Sequence, residues 1–261
     1  MNISGVLGIL AAVGMFVTSL LMTSGNKDIF FDTHGMLIVF GGTLAACMLC
    51  FPLPTLFGLF RIVFQKIIGK FSHRHEQVIR EVVDLARGYR ENAQFLSQAA
   101  QNIKTPFLKE AVELTVRGGI TESEVDQILE MRASTLFLKY EEEASIFKTM
   151  AKFPPAFGLM GTTLGMISLL SNMGNPDSLK SLGPSMAIGL VATLWGIALA
   201  NLVFLPMAEN LTKLTKDDEL LRDIVIEGIK LVRLKKHPAV VEEFLKSYLL
   251  PKDREKMKRA A

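Results

Sequence analysis

The sequence predicts an all-α integral membrane protein with four transmembrane helices, a helical cytoplasmic domain between the second and third spans, and a helical C-terminal tail. Nearly half of the 261 residues are apolar (49%), which is high for a soluble protein. Four uncharged runs are long enough to cross a bilayer as helices. Between and after these runs, charges of both signs are interspersed with apolar residues at helical spacing, which is typical of solvent-exposed helices.

The first two spans are predicted over Ile3–Met22 and Met36–Phe60, so residues 1–60 form the first membrane region. Each run is uncharged and has the length that the hydrocarbon core requires of a helix. Phe51-Pro-Leu-Pro54 lies near the end of the second run. Because proline removes a backbone donor, we expect the helix to end or kink there.

Residues 61–152 are expected to form the soluble helical domain. Thr105-Pro106 predicts an N-cap followed by proline at the first helical position. Thr121 and Glu124 have the spacing of a capping box, so a helix is expected to begin there. We expect this helix to continue through Glu141-Glu-Glu143 towards the next membrane run, with the acidic triplet on a solvated face rather than in a cation site.

The third and fourth spans are predicted over Phe153–Met173 and Leu182–Met207, joined by the turn-rich link Gly174–Asp177. Residues 153–208 therefore form a membrane hairpin. The segment 209–261 is charged and is expected to be a helical tail.

Prolines mark one end of this hairpin. Pro154-Pro155 opens the third span, Pro206 closes the fourth, and His237-Pro238 interrupts the tail. At the span boundaries, proline either terminates the helices or loosens the hydrogen-bond ladder where a membrane event is passed to the cytoplasm.

Basic residues beside the spans predict the orientation. They follow the second span, precede the third and follow the fourth: Arg61, Lys66, Lys70, Lys148, Lys152, Lys213 and Lys216. The opposite links carry only Lys27 and Lys180. Since basic residues favour the cytoplasmic side, we expect both termini and the middle domain to lie in the cytoplasm.

Several classes of function are disfavoured. The formal charge of +3 is too small for a nucleic-acid surface. Cys47 and Cys50 have no partner Cys or His at metal-ligand spacing, so we expect no tightly bound metal and no cofactor. No set of nucleophile, base and orienting group is recognisable, which argues against an enzyme.

The spans contain no ionisable residue, although proteins that move ions usually carry one at mid-membrane depth. If this protein conducts ions, the titratable group must come from another chain. An inert anchor would show the same absence.

Small residues recur on one face of each hairpin helix: Gly158, Gly161 and Gly165, then Gly189, Thr193, Gly196 and Ala200. This spacing lets helix backbones approach closely and is explained by packing alone. The hydroxyls of Thr162, Thr163 and Thr193 are an additional feature, because they can ligate a cation or hydrogen-bond a partner's carboxylate. A membrane threonine can equally bond back to its own helix.

These segments carry a specific resemblance. The runs Phe153-Pro-Pro-Ala-Phe-Gly-Leu-Met-Gly-Thr-Thr-Leu-Gly165, Gly183-Pro-Ser-Met-Ala187, Ala192-Thr-Leu-Trp-Gly196 and Asn201-Leu-Val-Phe-Leu-Pro206 resemble the third and fourth spans of the MotA/PomA family of ion-driven flagellar stator subunits. The resemblance continues through 217–250 and, more loosely, through the first spans.

The resemblance implies a homopentamer in the lipid bilayer around a dimer of single-span MotB/PomB-like partners, whose membrane aspartate binds the ion. It also implies an ion path at Gly161, Thr162, Ala192 and Thr193, with transient Na⁺ near the two threonines, and coupling roles for Pro155 and Pro206. Thr162 favours Na⁺ over H⁺, whereas Ala192 supplies one hydroxyl fewer than sodium-driven relatives often have.

The family also uses charges on the first cytoplasmic helix to push on the rotor's FliG-type switch-complex protein. Arg90 falls at the arginine position, with Arg87 and Glu91 beside it, but Ser97 and Gln98 stand where a glutamate is usual. These arginines are equally explained as solvent-facing.

Two rival functions remain. An energiser of the ExbB/TolQ type shares the two gated spans but normally has three spans in all. A membrane transporter of another class would show more spans and an internal repeat.

Overall fold

The computed structural model describes residues 3–23, 27–59, 74–92, 94–172 and 178–259, and it is helical with short connections throughout these ranges. Its chain divides into two compact units. The first unit contains Met1–Lys70 and Glu141–Thr212, and the second contains Phe71–Tyr140 and Lys213–Ala261. The tail and the middle segment therefore belong to one unit.

The first unit begins with α1 (Ile3–Thr23) and, after a 3₁₀ turn at Lys27–Phe30, continues into α2 (Thr33–Cys50). A π-helical stretch, Leu37–Gly41, lies within α2. The predicted break after this run is confirmed, because Phe51 is extended (φ −136°, ψ 141°) and residues 53–59 form a separate short helix, α3.

The rest of the described chain adds helices of 5 to 29 residues. The second unit contributes α4 (Arg74–Glu91), α5 (Phe95–Ala99) and α6 (Pro106–Val116). They are followed by α7 (Glu122–Met150), α8 (Phe153–Asn172), α9 (Ser178–Ala198), a π-helical stretch Leu199–Phe204, α10 (Leu205–Arg233), α11 (Pro238–Lys246) and α12 (Pro251–Arg259).

Apolar length identifies the membrane candidates. Among the described residues, three helical stretches are long and apolar enough to cross a bilayer: Thr33–Cys50, Glu122–Ser171 and Leu182–Arg233. Leu10–Met22 is a shorter apolar stretch within α1. The predicted hairpin link Gly174–Asp177 and the basic residues Arg61, Lys66 and Lys70 lie outside the described residues.

The second unit has its own apolar core. Val78, Val82 and Leu85 of α4 meet Ile224 and Ile229 of α10 in it. Burial of these side chains at helical spacing is what makes the charged segments fold as amphipathic helices.

The predicted caps have different outcomes. The capping box is confirmed: Thr121 N–H donates to Glu124 Oε2 at 2.8 Å, and Glu124 N–H donates to Thr121 Oγ1 at 3.3 Å. Pro106 does open α6, but the Thr105 side chain makes no capping hydrogen bond. Instead, the N–H of Thr105 donates to Glu81 Oε2 at 3.3 Å, so a carboxylate from another helix occupies this end.

One sequence prediction is wrong in detail, and one of the two alternatives for Pro206 is excluded. Glu143 is 8% exposed, so one member of the acidic triplet is buried beside Ala144 and Phe147 rather than solvated. Pro206 does not end a helix, because the chain is helical without interruption from 178 to 233. The π-helical stretch before it explains this: the N–H of Leu205 bonds to the carbonyl of Ala200, and this wider register tolerates a following residue without an N–H.

Candidate functional site

The hairpin of α8 and α9 is packed backbone to backbone. A Cβ built on Gly165 would lie 2.6 Å from the carbonyl oxygen of Ser185, and one on Gly196 would lie 2.5 Å from that of Pro154. A Cβ on Gly189 would lie 2.8 Å from the Cα of Thr162. These atoms are backbone and cannot move aside, so glycine is required at all three positions.

This close approach brings two hydroxyls together. Thr162 Oγ1 and Thr193 Oγ1 lie 2.6 Å apart. Each also lies near the carbonyl oxygens of Gly158 and Gly189, at 3.2 and 3.1 Å from Thr162 and at 3.2 and 3.0 Å from Thr193. Four oxygens of the hairpin therefore form one compact cluster.

The cluster holds more acceptors than protons. Two hydroxyl protons can satisfy at most two of its five close oxygen–oxygen contacts. The remaining contacts place oxygen lone pairs against one another. A cation, or a proton donor from another chain, would therefore be stabilised here more than an anion would.

The other two predicted ion-path residues lie in the seam between the helices. Ala192 is fully buried, and a Cβ built on Gly161 would lie 2.4 Å from the Cβ of Ala192. This pair sets the spacing of α8 and α9, and it contributes no side-chain oxygen.

A second hydroxyl pair was missed from the sequence. Ser168 Oγ and Ser185 Oγ lie 3.3 Å apart, and Ser185 is buried. Ser168 is six residues beyond Thr162, about 9 Å along α8. The available signal was spacing: Ser168 follows Gly165 by three residues and Ser185 precedes Gly189 by four, so both continue the small-residue stripe.

The predicted coupling prolines occupy different surroundings. Pro154 is buried in the first turn of α8, with its carbonyl against Gly196, and Pro155 is half-buried. Pro206 is exposed in the first turn of α10, directly after the Leu199–Phe204 π stretch.

An aromatic cluster surrounds Trp195 on α9. Its Nε1 donates to the carbonyl of Phe30 at 2.8 Å, and the rings of Phe16, Phe31 and Phe40 lie 5.7 to 6.1 Å from its ring. These contacts tie α1, the following linker and α2 to the hairpin. Trp195 therefore helps to position the hairpin within the first unit.

The predicted rotor charges lie at the C-terminal end of α4. Arg87, Arg90 and Glu91 are exposed, and Arg87 Nη1 lies 3.7 Å from Asp84 Oδ1 in an exposed ion pair. Such a pair contributes little to stability. These side chains are accessible to another protein.

Charged side chains lie near Ser97, which stands where the resemblance implies a glutamate. Ser97 is exposed and lines a cavity of about 590 Å³ in the second unit together with Glu110, Glu113, Arg117 and Arg132. Glu110 is paired with Arg132, while Glu113 is exposed. The charged side chains around Ser97 are therefore two acidic and two basic ones, with no acidic excess.

Ionisable groups are absent from the apolar parts of the hairpin. The sequence has none from Phe153 to Asn172 or from Leu182 to Met207. Among the described residues, no group of three or more His, Cys, Asp or Glu could hold a metal ion. The Thr162–Thr193 oxygen cluster and the Ser168–Ser185 pair are therefore the polar features of the hairpin interior in the part of the chain that the structure describes.

Comparison with known proteins gives matches along the whole chain. Residues 99–224 match the model of the MotA/TolQ/ExbB proton channel family. The chain is 28% identical to chemotaxis protein PomA of Vibrio alginolyticus, over 95% of this chain and 96% of that protein. It is 30% identical to the uncharacterised protein YtxD of Bacillus subtilis, over 92% of this chain and 84% of that protein.

A solved structure has the same fold. The chain superposes on the flagellar MotAB stator complex from Bacillus subtilis with a TM-score of 0.80 and 26% sequence identity, covering 98% of each chain.

Proposed function

The chain belongs to the MotA/TolQ/ExbB proton channel family, and we propose that it is a flagellar motor stator subunit that conducts cations, Na⁺ in preference to H⁺, and converts the ion gradient into torque on the rotor. Its relatives over nearly the full length include PomA, and a MotAB stator complex shares its fold. Its role is that of an ion-channel component, not of an enzyme.

A partner chain is part of this proposal. The apolar stretches 153–172 and 182–207 of the hairpin contain no carboxylate, and the acceptor-rich cluster between them is complementary to a cation or a proton donor. We propose that a MotB/PomB-like single-span subunit supplies a membrane aspartate, and that five copies of this chain surround a dimer of that partner. A carboxylate held near hydroxyls in a low-dielectric site binds and releases a cation as the working step.

The proposal that the ion is Na⁺ rests on the oxygen cluster. A sodium ion must exchange its hydration shell for oxygen ligands, whereas a proton needs only the carboxylate. Thr162 Oγ1, Thr193 Oγ1 and the two glycine carbonyls provide such oxygens within one small region. Ala192 packs against Gly161 and adds none, so the site relies on two hydroxyls.

The proposed topology has four spans, with residues 61–152 and 209–261 on the cytoplasmic side of the bacterial inner membrane. The helical lengths Thr33–Cys50 and Leu182–Arg233 support it, as does the basic flank Lys148, Lys213 and Lys216. We place coupling to the cytoplasmic unit at Pro155 and Pro206, which flank the hairpin.

The test is stator-dependent motility and ion flux in cells whose external sodium is replaced by potassium at constant pH. Wild type should require sodium. Thr162→Ala and Thr193→Ala should weaken the sodium dependence and lower flux with assembly intact, because each removes one hydroxyl from the cluster.

Thr163→Ala is the matched control. Thr163 is exposed one residue away and donates only to the carbonyl of Leu159, at 3.0 Å. It should behave as wild type. Full motility without sodium would assign the proton instead, and equal loss in Thr163→Ala would show that the threonine effects are structural.

The exposed charges of α4 are our proposed rotor contact. Arg90→Glu should impair rotation while leaving assembly and ion flux unchanged, because an exposed charge acts mainly on a partner surface. Arg87→Glu should have a smaller effect, since Arg87 already pairs with Asp84. Unaffected motility in Arg90→Glu would move the contact elsewhere on the second unit.

A further inference from the structure

We propose that Lys235, in the turn between α10 and α11, is a further contact for the rotor, and that its ammonium group pairs with a carboxylate on the rotor surface. The proposal rests on the proposed function, because it extends the rotor contact at the C-terminal end of α4. Lys235 and α4 both belong to the second unit.

Lys235 has an unusual backbone conformation. Its φ is +53°, and among the described residues no other residue except glycine has a positive φ. The turn ends α10 in a Schellman motif: the N–H of Lys236 donates to the carbonyl of Leu231 at 3.2 Å, and the N–H of Lys235 donates to that of Val232 at 2.9 Å. Glycine is the usual residue at this position, because a side chain there crowds the backbone. A lysine therefore stands where the backbone alone favours glycine.

The side chain of Lys235 extends to α4. Its Nζ lies over the ring of Tyr89, 5.6 Å from the ring centroid, and Tyr89 packs against the apolar core of the second unit. A cation over the face of an aromatic ring is attracted by the ring quadrupole. This contact holds the ammonium group at the last turn of α4, while Lys235 as a whole stays exposed.

The stability of the fold does not account for this lysine. An exposed cation–π contact contributes no more than the left-handed conformation costs a residue other than glycine. A cation near the end of α10 is also favoured by the helix dipole, but Lys230 and Arg233 in the last turn already supply that charge. With no net gain in stability, the exposed ammonium group is best explained as a binding group.

The charges at this end of α4 favour an acidic partner. Arg90 and Lys235 are exposed cations, and Glu91 is the exposed carboxylate beside Arg90. Arg87 is paired with Asp84. The basic excess is complementary to carboxylates on the rotor, and complementary charges at the rim of an interface guide the encounter of two partners.

The test separates the charge of Lys235 from its backbone conformation. Lys235→Gly removes the ammonium group and suits the left-handed conformation, so the thermal midpoint of the full chain with its membrane partner should not fall. Lys235→Gln removes the charge but keeps a side chain, and Lys235→Arg keeps the charge. The matched control is Lys139→Gln, which neutralises an exposed lysine on α7 of the same unit.

The readout is engagement of the rotor in living cells. Stator units that engage one after another raise the speed of a bead on the flagellum in discrete steps, and ion flux and the amount of assembled complex are measured in parallel. Lys235→Gly and Lys235→Gln should lower the step frequency about two- to fivefold, the size expected of one exposed ion pair, with flux and assembly unchanged. Lys235→Arg and Lys139→Gln should match the wild type.

Four outcomes would overturn the proposal. Normal engagement by Lys235→Gly, with Arg90→Glu impaired, would confine the rotor contact to α4. An equal loss in Lys235→Arg would show that the charge is not what matters. A lower thermal midpoint in Lys235→Gly would make the lysine structural. Normal engagement by both Arg90→Glu and Lys235→Gly would move the rotor contact of the proposed function itself away from this end of α4.

Discussion

Replacing Gly165 by alanine tests whether the spacing of α8 and α9 depends on the absence of a side chain. The added Cβ would lie 2.6 Å from the carbonyl oxygen of Ser185 and 3.2 Å from the nitrogen of Gly189. Ordinary contact begins at 3.4 Å, so the helices must separate locally by about 0.8 Å (3.4 minus 2.6). No side chain can absorb this shift, because both neighbours are backbone atoms.

The energetic cost has three parts. Overpacking of a close contact costs about 1–3 kcal/mol. A separation of this size would stretch the 2.6 Å contact of Thr162 and Thr193 beyond the usual range of a hydroxyl pair, which adds about 0.6 kcal/mol in a membrane. Alanine also favours the helix by up to about 1 kcal/mol relative to glycine. The net effect of Gly165→Ala is a destabilisation of about 1–3 kcal/mol.

Gly8→Ala isolates the propensity term. Gly8 lies on α1, and a Cβ built on it has no neighbour within 4 Å. It should therefore be neutral or stabilising, and the two variants should differ by about 2–3 kcal/mol. The measurement is unfolding in mixed micelles of increasing denaturing detergent, with ion flux recorded in parallel. Equal stability of the two variants would refute the close approach of the backbones at Gly165.

Two further predictions concern the second unit. Partial burial raises the pKa of the Asp223 carboxyl, and the charge of Glu227 raises it further. Ionisation of Asp223 therefore disfavours the folded state. Asp223→Asn should raise the thermal midpoint of unfolding at pH 7, and this gain should vanish below about pH 4. Equal gains at both pH values would contradict this sign. Arg233 is nearly buried, donates to the carbonyl of Glu122 at 2.8 Å and pairs with Asp126. Arg233→Met should lower the free energy of unfolding, measured in denaturant, by about 3 kcal/mol. Adding Asp126→Asn should recover part of this loss, whereas additive losses would exclude the ion pair.

Much of the fold could be predicted because local chemistry determines it. Uncharged runs set the apolar helices, and the Thr121–Glu124 capping box places the start of α7 within one residue. The break after α2 follows from Pro52, since the residue before a proline is driven out of the helical region. These signals act within a few residues and need no knowledge of tertiary contacts.

The site could be predicted only in part. The sequence identifies Thr162 and Thr193 as candidates, but their 2.6 Å contact depends on the register of α8 against α9. That register is fixed by three-dimensional fit at Gly165, Gly189 and Gly196. The spacing along a single helix shows which face carries small residues, but it does not show which residues of two helices are in contact.

The remaining features were not predictable from local pattern. The π stretches at Leu37–Gly41 and Leu199–Phe204 carry no composition signal, and the second lies directly before Pro206, where the helix continues without a break. Burial of Glu143 likewise depends on which helices pack against α7. Tertiary packing decides each of these features.

Spacing and chemistry at the hairpin can be separated, because different residues control them. Gly165→Ala moves the backbones and should lower both stability and ion flux. Thr162→Ala removes one hydroxyl and adds no clash, so it should lower flux and sodium dependence with little loss of stability, and Thr162→Ser should restore them. If Thr162→Ser fails to restore flux while stability stays normal, the methyl group and not the hydroxyl matters, and the assignment of the cluster as cation ligands is wrong.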